Sequence, residues 1–282
     1  MSDLTEKKVL ILHHADCADG FSAAWVAHKT LGDSATYIAS KHGTNPPPEA
    51  AGKIVYLLDY SYGEENMKKL VAMAEKVILI DHHATAAAYP SLVAESRFDT
   101  NHSGAVLAWE YFNPGKPVPT LLQYVEEGDI WRFTLPNIKE LGEAIGMTEQ
   151  TFEKWDALAA NFENETSRAK LAERGAVSLE RTQQMIDKAV GEAEEIEFEG
   201  HRCLMVNSMF CVSQIGHALY TKMPPIALVW SRRKNKIIVS LRSNGTVDVA
   251  QLAQKYGAGG GHPVAASFSW EEANFLKLRV RN

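Results

Sequence analysis

Acids and imidazoles stand directly behind apolar runs at three places in this chain. They are His14 to Asp19, Asp59, and Asp81-His82-His83. A carboxylate and two imidazoles within a few residues offer oxygen and nitrogen ligands for a metal ion, and a group that exchanges protons near neutral pH. A fourth acid, Asp129, sits among aromatics in Gly128-Asp129-Ile130-Trp131-Arg132-Phe133. It reads either as a further ligand or as part of a surface turn. Near the other end lies Gly259-Gly260-Gly261-His262. Consecutive glycines let a backbone approach an anion closely, and their amides can form a nest for it.

The elements that must position these groups follow from periodicity. Residues 8–13 read as a strand. A helix follows, with Phe21, Ala24, Trp25 and His28 on one face and Gly32 as its stop. Residues 53–58 form another strand, ending at Asp59, and 64–75 another helix. The run Val77, Ile78, Leu79, Ile80 has the composition of a fully buried strand and ends at Asp81. Strands alternating with helices predict a parallel sheet, and the three polar clusters would then meet at its carboxyl edge. Carboxylates buried there are costly unless they are paired or bind metal.

Farther on, Ser103 precedes a helix over 105–112, either capping it or presenting amides to a phosphate. A helix over 121–127 stops just short of Asp129. Residues 138–195 look mainly helical, and the stretch 167–190, interrupted only by Gly175, reads as a connector. Composition changes at Glu194. Strands are expected at 196–198, 203–206, 226–230 and 237–241, a hairpin tip at 232–236, and a helix over 247–256. The expected fold is α/β: a parallel-sheet, Rossmann-like domain with its helical connector (1–190), joined to a smaller mixed α/β domain (191–282).

Composition sets further bounds. The 282 residues are 45% hydrophobic and 23% charged, with net charge -6, which is ordinary globular usage. An acidic chain of pI near 5.9 gives no hint of the basic face that tracks long nucleic acid. Small anionic substrates held by a few cations and metals are compatible with it. Cys17, Cys203 and Cys211 are too few and too scattered for a disulfide framework. The polar start and the short apolar run after it do not resemble a signal peptide, and no stretch is long enough to span a membrane. A cytoplasmic protein without membrane partners is expected, and homo-oligomerisation is left open.

Taken together, these residues resemble the DHH phosphoesterase family with its C-terminal DHHA1 domain. Asp81-His82-His83 is similar to the motif that names the family. His14 to Gly20 is similar to its first motif, Asp59 to the second and Asp129 to the fourth. Gly259 to His262, with Ala265-Ala266 after it, is similar to the glycine motif of DHHA1. The resemblance implies a manganese-dependent hydrolase of phosphodiesters or phosphoanhydrides with two metal ions, Mg²⁺ being a substitute. His14, with Asp16 or Cys17, would bind one ion. Asp59 would bridge both, and Asp19, His82 and Asp129 would hold the second. A metal-activated water would attack phosphorus, with Asp59, His82 and His83 as the catalytic group. His83 would contact the phosphate or protonate the leaving oxygen. Arg242, His262 and the amides of Gly259, Gly260 and Gly261 would hold the far end of the substrate across an interdomain cleft.

One departure stands out. Where the wider family has a second aspartate, this chain reads Asp16-Cys17-Ala18. Either residue stands in, and a thiolate would favour a softer metal than manganese; alternatively Cys17 is only a small residue in a tight turn. The expected activity is phosphodiester hydrolysis on short oligonucleotides or small nucleotides. The alternatives are a polyphosphate or pyrophosphate hydrolase, and a nucleotide-binding regulatory module with a degenerate site.

Overall fold

Leu10, Ile11 and Leu12 have no exposed surface, as a strand covered on both faces requires. They lie in β1 (Val9–His14) of the computed structural model, which describes residues 7–41, 43–234, 236–257 and 259–271. The chain continues through α1 (Ala18–Leu31), β2 (Ala35–Ser40), β3 (Ile54–Leu58), α2 (Glu64–Met73), β4 (Lys76–Asp81) and β5 (Glu95–Phe98). The strands are all parallel, in the order β2-β1-β3-β4-β5. The chain leaves β1 for one side and returns to β3 on the other. The direction of winding therefore reverses between β1 and β3, where open α/β sheets bind ligands beyond their carboxyl ends.

Alternation sends successive side chains to opposite cores. Ile11, Leu58, Ile78 and Ile80 pack with Trp25 and Val26 of α1. The same core takes Leu107 of α3 (Gly104–Phe112), Leu121 of α4 (Thr120–Asp129), Leu141 of α5 (Ile138–Gly146) and Trp155 of α6 (Phe152–Glu163). Leu10, Leu12, Leu57 and Leu79 face the other way, onto Met67 and Leu70 of α2. The 27-residue α7 (Glu165–Gly191) follows. Gly175, the one interruption seen in its sequence, marks a crossing: a Cβ there would lie 1.8 Å from the Glu140 carbonyl oxygen of α5.

The chain divides inside α7 into two compact units, Met1–Leu179 and Glu180–Asn282; the sequence reading keeps the whole helix with the first domain. The second unit holds β6 (Glu194–Phe198), β7 (His201–Asn207), α8 (Val212–Lys222), β8 (Ile226–Arg233), β9 (Lys236–Ser243), α9 (Val249–Gln254), β10 (Gly260–His262) and β11 (Ala265–Glu271). Its mixed sheet runs β10-β11-β9-β8-β7-β6, with only β7 and β8 paired in parallel. α9 covers one face with Val249 and Leu252, and α8 the other with Ile215 and Leu219. No helix among the described residues is long and apolar enough to cross a membrane.

Five elements escape the periodicity reading: β2, β5, α8, β10 and β11. β2 and β5 are the two edges of the first sheet, so each has one strand neighbour and reads as half-polar, Ala-Thr-Tyr-Ile-Ala-Ser and Glu-Ser-Arg-Phe. α8 carries an internal glycine, Gly216, which weakens its helical signal. The glycine run also differs from a loop nest: Gly260, Gly261 and His262 form the edge strand β10, paired with Ser267, Ala266 and Ala265. Asn235 of the expected hairpin tip, and Ala258 just before the glycines, lie outside the described residues.

Candidate metal centre

Asp59 is the pivot. It follows the last residue of β3 with φ of +54°, a left-handed conformation that aspartate tolerates better than most residues. Its amide donates to the Ile80 carbonyl at 2.9 Å, which ties the turn to β4. The residue is 1% exposed, and neither carboxylate oxygen accepts a hydrogen bond within the described residues. The two oxygens face different groups. Oδ2 lies 3.4 Å from Nδ1 of His14, at the end of β1. Oδ1 lies 3.2 Å from Nε2 of His82 and 3.6 Å from Nδ1 of His83, just past β4.

Two further acids complete the second group. Asp129 Oδ2 is 3.4 Å, and Asp19 Oδ2 4.0 Å, from His82 Nε2. Potential ligand atoms of Asp19, His82 and Asp129 lie within 4.8 Å of one another, and so do those of His14, Cys17 and Asp59. A buried carboxylate with unsatisfied oxygens, ringed by imidazoles, a thiol and more carboxylates, fits divalent cations as the missing partners.

Charge crowding shows in the proton affinities. Burial, then the Asp59 charge, raises the Asp129 carboxyl to about 6 and pushes Asp19 well up. For Asp59 burial acts upward too, but His14, His82 and His83 outweigh it and hold the carboxyl well below the usual range. Burial, followed by the neighbouring carboxylates, raises the Cys17 thiol. His83 is raised to about 10: burial opposes this, and Asp81, Asp59 and Asp129 prevail.

Asp81, the acid of the Asp-His-His motif, is not grouped with these ligand atoms but adjoins one of the histidines. It is fully buried, and its Oδ1 accepts from the amides of His82 (2.8 Å) and His83 (3.0 Å). The same oxygen lies 2.7 Å from His83 Nδ1. A carboxylate only accepts, so that nitrogen carries the proton and Nε2 is directed elsewhere. Asp81 is thus a positioning residue, missed in the sequence because its adjacency to two histidines suggested a shared role.

The start of α3 works differently from the phosphate-receiving alternative. Ser103 is wholly buried and its Oγ accepts from the Val106 amide at 3.3 Å, a helix cap. The Ser103 amide donates to Glu126. The Gly104 and Ala105 amides donate to the two oxygens of Asp19 at 2.7 and 2.9 Å. Protein carboxylates and the Ser103 hydroxyl therefore take these amides, and a phosphate finds none of the four. Gly104 has a packing reason: a Cβ there would sit 2.5 Å from Asp59 Cβ and 2.9 Å from Asp19 Oδ2.

α4 runs on to include Asp129 as its last residue, beyond the expected stop at Glu127. That end is held firmly. Glu126 takes the Ser103 amide and pairs with His102 and Arg132, while Glu127 accepts from the Thr134 amide and hydroxyl and pairs with Arg132. The backbone turns Asp16 and Cys17 to different sides. Asp16 has φ of +55° and an exposed side chain paired with Lys41 at 2.6 Å, so Cys17 turns inward.

The other candidate residues belong to the second unit. His262 of β10 and Arg242 of β9 both pair with Ala265 of β11, which puts all three on one face of the sheet. Arg242 donates to Ser213 Oγ of α8 at 2.8 Å and to its neighbour's carbonyl, and its stem fills the space left by Gly216. Gly259 and Gly261 are required by close backbone: a Cβ would lie 2.2 Å from the Ala253 carbonyl oxygen and 2.4 Å from that of Ala265, respectively.

Comparison with known proteins agrees with this architecture. Residues 215–279 match the model of the DHHA1 domain. The chain is 28% identical over 287 residues to an uncharacterized protein of Acanthamoeba polyphaga mimivirus, covering 93% of this chain and 67% of that protein. Among solved structures, the DHH domain of a member of a family of ribosomal proteins superposes with a TM-score of 0.67 at 15% identity, covering 97% of this chain and 85% of the other. RecJ from Thermus thermophilus, solved with Mn²⁺, gives 0.54 at 14% identity, covering 98% of this chain and 51% of RecJ. An exopolyphosphatase-related protein from Bacteroides fragilis gives 0.51 at 12% identity, covering 97% and 90%.

Proposed function

We propose that the chain, which shares the fold of a DHH-domain protein and matches the DHHA1 domain over residues 215–279, is a divalent-metal-dependent phosphoesterase of the DHH family. Its substrates are short oligonucleotides or small nucleotides with a phosphodiester bond. The carrying observation is Asp59, whose two buried oxygens turn to separate donor groups, the arrangement a bridging ligand needs. His14, Cys17 and Asp59 would hold one cation, and Asp59, Asp19, His82 and Asp129 the other, with Mn²⁺ the natural occupant of the oxygen-rich position and Mg²⁺ a substitute. When bound, such a pair supplies an acidified water and positive charge for the phosphoryl oxygens.

The chain's own groups do the rest. Asp81 holds His83 in one orientation, and His83 keeps a proton that its Nε2 can present to a phosphoryl or leaving oxygen. Ser103 and Glu126 fix the start of α3, and its amides in turn fix Asp19. In the second unit, Arg242 and His262 offer cationic and hydrogen-bonding groups that suit an anion.

The test is a panel of a dinucleotide, a long single strand and polyphosphate, each incubated with Mn²⁺ and analysed for products. Cleavage of the dinucleotide in preference to the others is expected. Release of phosphate from polyphosphate alone would replace this reading with phosphoanhydride hydrolysis, and no product from any of them would refute phosphoesterase activity.

A further inference from the structure

The two halves of the candidate centre differ in donor chemistry. Around His82 the donors are carboxylate oxygens of Asp19, Asp59 and Asp129 and the imidazoles of His82 and His83, with no sulfur among them. Around His14 they are an imidazole nitrogen, one oxygen of Asp59 and the sulfur of Cys17. The local backbone builds this difference. Asp16, the carboxylate a hard cation would favour, is turned out to Lys41 by a left-handed φ. Cys17 follows in extended conformation, just before α1, and its side chain makes no capping hydrogen bond to that helix. A cysteine alone would mean little. Here it shares its group with Asp59, 1% exposed, whose oxygens accept no hydrogen bond among the described residues. A buried anion of that kind calls for a positive partner, and the partner nearest Oδ2 would meet sulfur and nitrogen as well.

We propose that the centre is chemically asymmetric: the His14–Cys17–Asp59 position selects a thiophilic divalent ion, of the Zn²⁺, Co²⁺ or Fe²⁺ class, while the Asp19–Asp59–His82–Asp129 position takes a hard ion such as Mn²⁺ or Mg²⁺. The inference deepens the metal-dependent reading above and rests on it for the second position only. Soft thiolate ligands discriminate against Mn²⁺ and Mg²⁺, whereas carboxylates suit them. Binding converts the thiol to a thiolate–metal bond and releases its proton to solvent, so occupancy of this position is linked to proton release.

Cobalt makes the sulfur visible. The metal-free full-length protein, kept reduced, is titrated with Co²⁺ while its absorbance is recorded. A thiolate-to-cobalt charge-transfer band in the near ultraviolet is expected. It should be present in Cys203→Ser and Cys211→Ser, and absent in Cys17→Ser. Zn²⁺ affinity at this position should fall by on the order of 100-fold or more in Cys17→Ser, since outer ligands alone are worth about 10–100-fold in metal affinity. Cys17→Asp, an alternative should the serine variant fold poorly, should lose the band while binding a second equivalent of Mn²⁺.

Alkylation gives an independent readout. Zn²⁺ should protect Cys17 from iodoacetamide, and Mg²⁺ should not. A cobalt complex without the charge-transfer band, or a band that survives Cys17→Ser, would overturn the proposal. Neither readout uses turnover. A band in a protein that cleaves no phosphodiester would uphold the asymmetry and sink the functional reading, and turnover without a band would do the reverse.

Discussion

Gly104→Ala offers a sharp test of how the centre is held. In a helix interior alanine is ordinarily favoured over glycine by about 1 kcal/mol, an upper bound for the first turn. At this position the added Cβ would lie 2.5 Å from Asp59 Cβ and 2.9 Å from both Asp59 Cα and Asp19 Oδ2. Ordinary contact begins at 3.4 Å, so the two carbons must part by about 0.9 Å, the difference between 3.4 and 2.5. Little can yield. Asp59 is pinned to Ile80 through its amide, and Asp19 is bonded to Gly104 and Ala105 at 2.7 and 2.9 Å. Overpacking of this kind costs about 1–3 kcal/mol, which outweighs the helical gain. The displacement also falls on Asp59, and a misplacement near 1 Å costs on the order of 100-fold in rate. Denaturant midpoints, Mn²⁺ affinity by calorimetry, and turnover of a dinucleotide should all fall together. Wild-type stability and metal affinity in Gly104→Ala would refute the claim that α3 abuts the candidate metal ligands Asp19 and Asp59.

Other outcomes follow from the same geometry. Asp59→Asn keeps the left-handed turn but removes the bridging charge, so turnover and Mn²⁺ binding should drop by at least ~100-fold with the circular-dichroism spectrum unchanged; near-normal turnover would exclude the paired-cation reading. Exhaustive chelation should abolish turnover and Mn²⁺ restore it, and full activity in the chelated protein would count against any metal role. The metal-free protein should lose stability as pH rises through about 6, because Asp129 binds its proton more tightly folded than unfolded. That contribution is complete below the ordinary value of 3.8 and gone above about 6, so Mn²⁺ should raise the melting temperature more above pH 6 than below it. Arg242→Ala should raise KM for a dinucleotide by on the order of 10- to 100-fold, the scale of one charge-assisted hydrogen bond of ~1.5–3 kcal/mol, and by less for a small activated diester. Equal losses of kcat on both substrates would place Arg242 with the reacting groups instead.

Much of this centre was legible in the linear chain because buried parallel strands are apolar on both faces and end abruptly. The stop after Ile80 marks Asp81, His82 and His83, and the stop after Leu58 marks Asp59, without any knowledge of the fold. Helix periodicity likewise placed α1 and its end at Gly32. The edge strands β2 and β5 were not legible, since an edge exposes half its residues and admits polar ones. Nor were the partners that fix Asp19, the amides of Gly104 and Ala105, which lie 85 and 86 residues away along the chain. Asp16 and Cys17 are adjacent and equally able to bind metal; the left-handed turn at Asp16 and its pairing with Lys41 decide which faces inward. Asp81 and His82 are adjacent too, yet one braces His83 while the other meets Asp59. Sequence spacing carries the chemistry a residue can do and the element that bears it. Where each side chain points depends on backbone rotation at single residues and on packing between distant segments, and these exist only once the chain has folded.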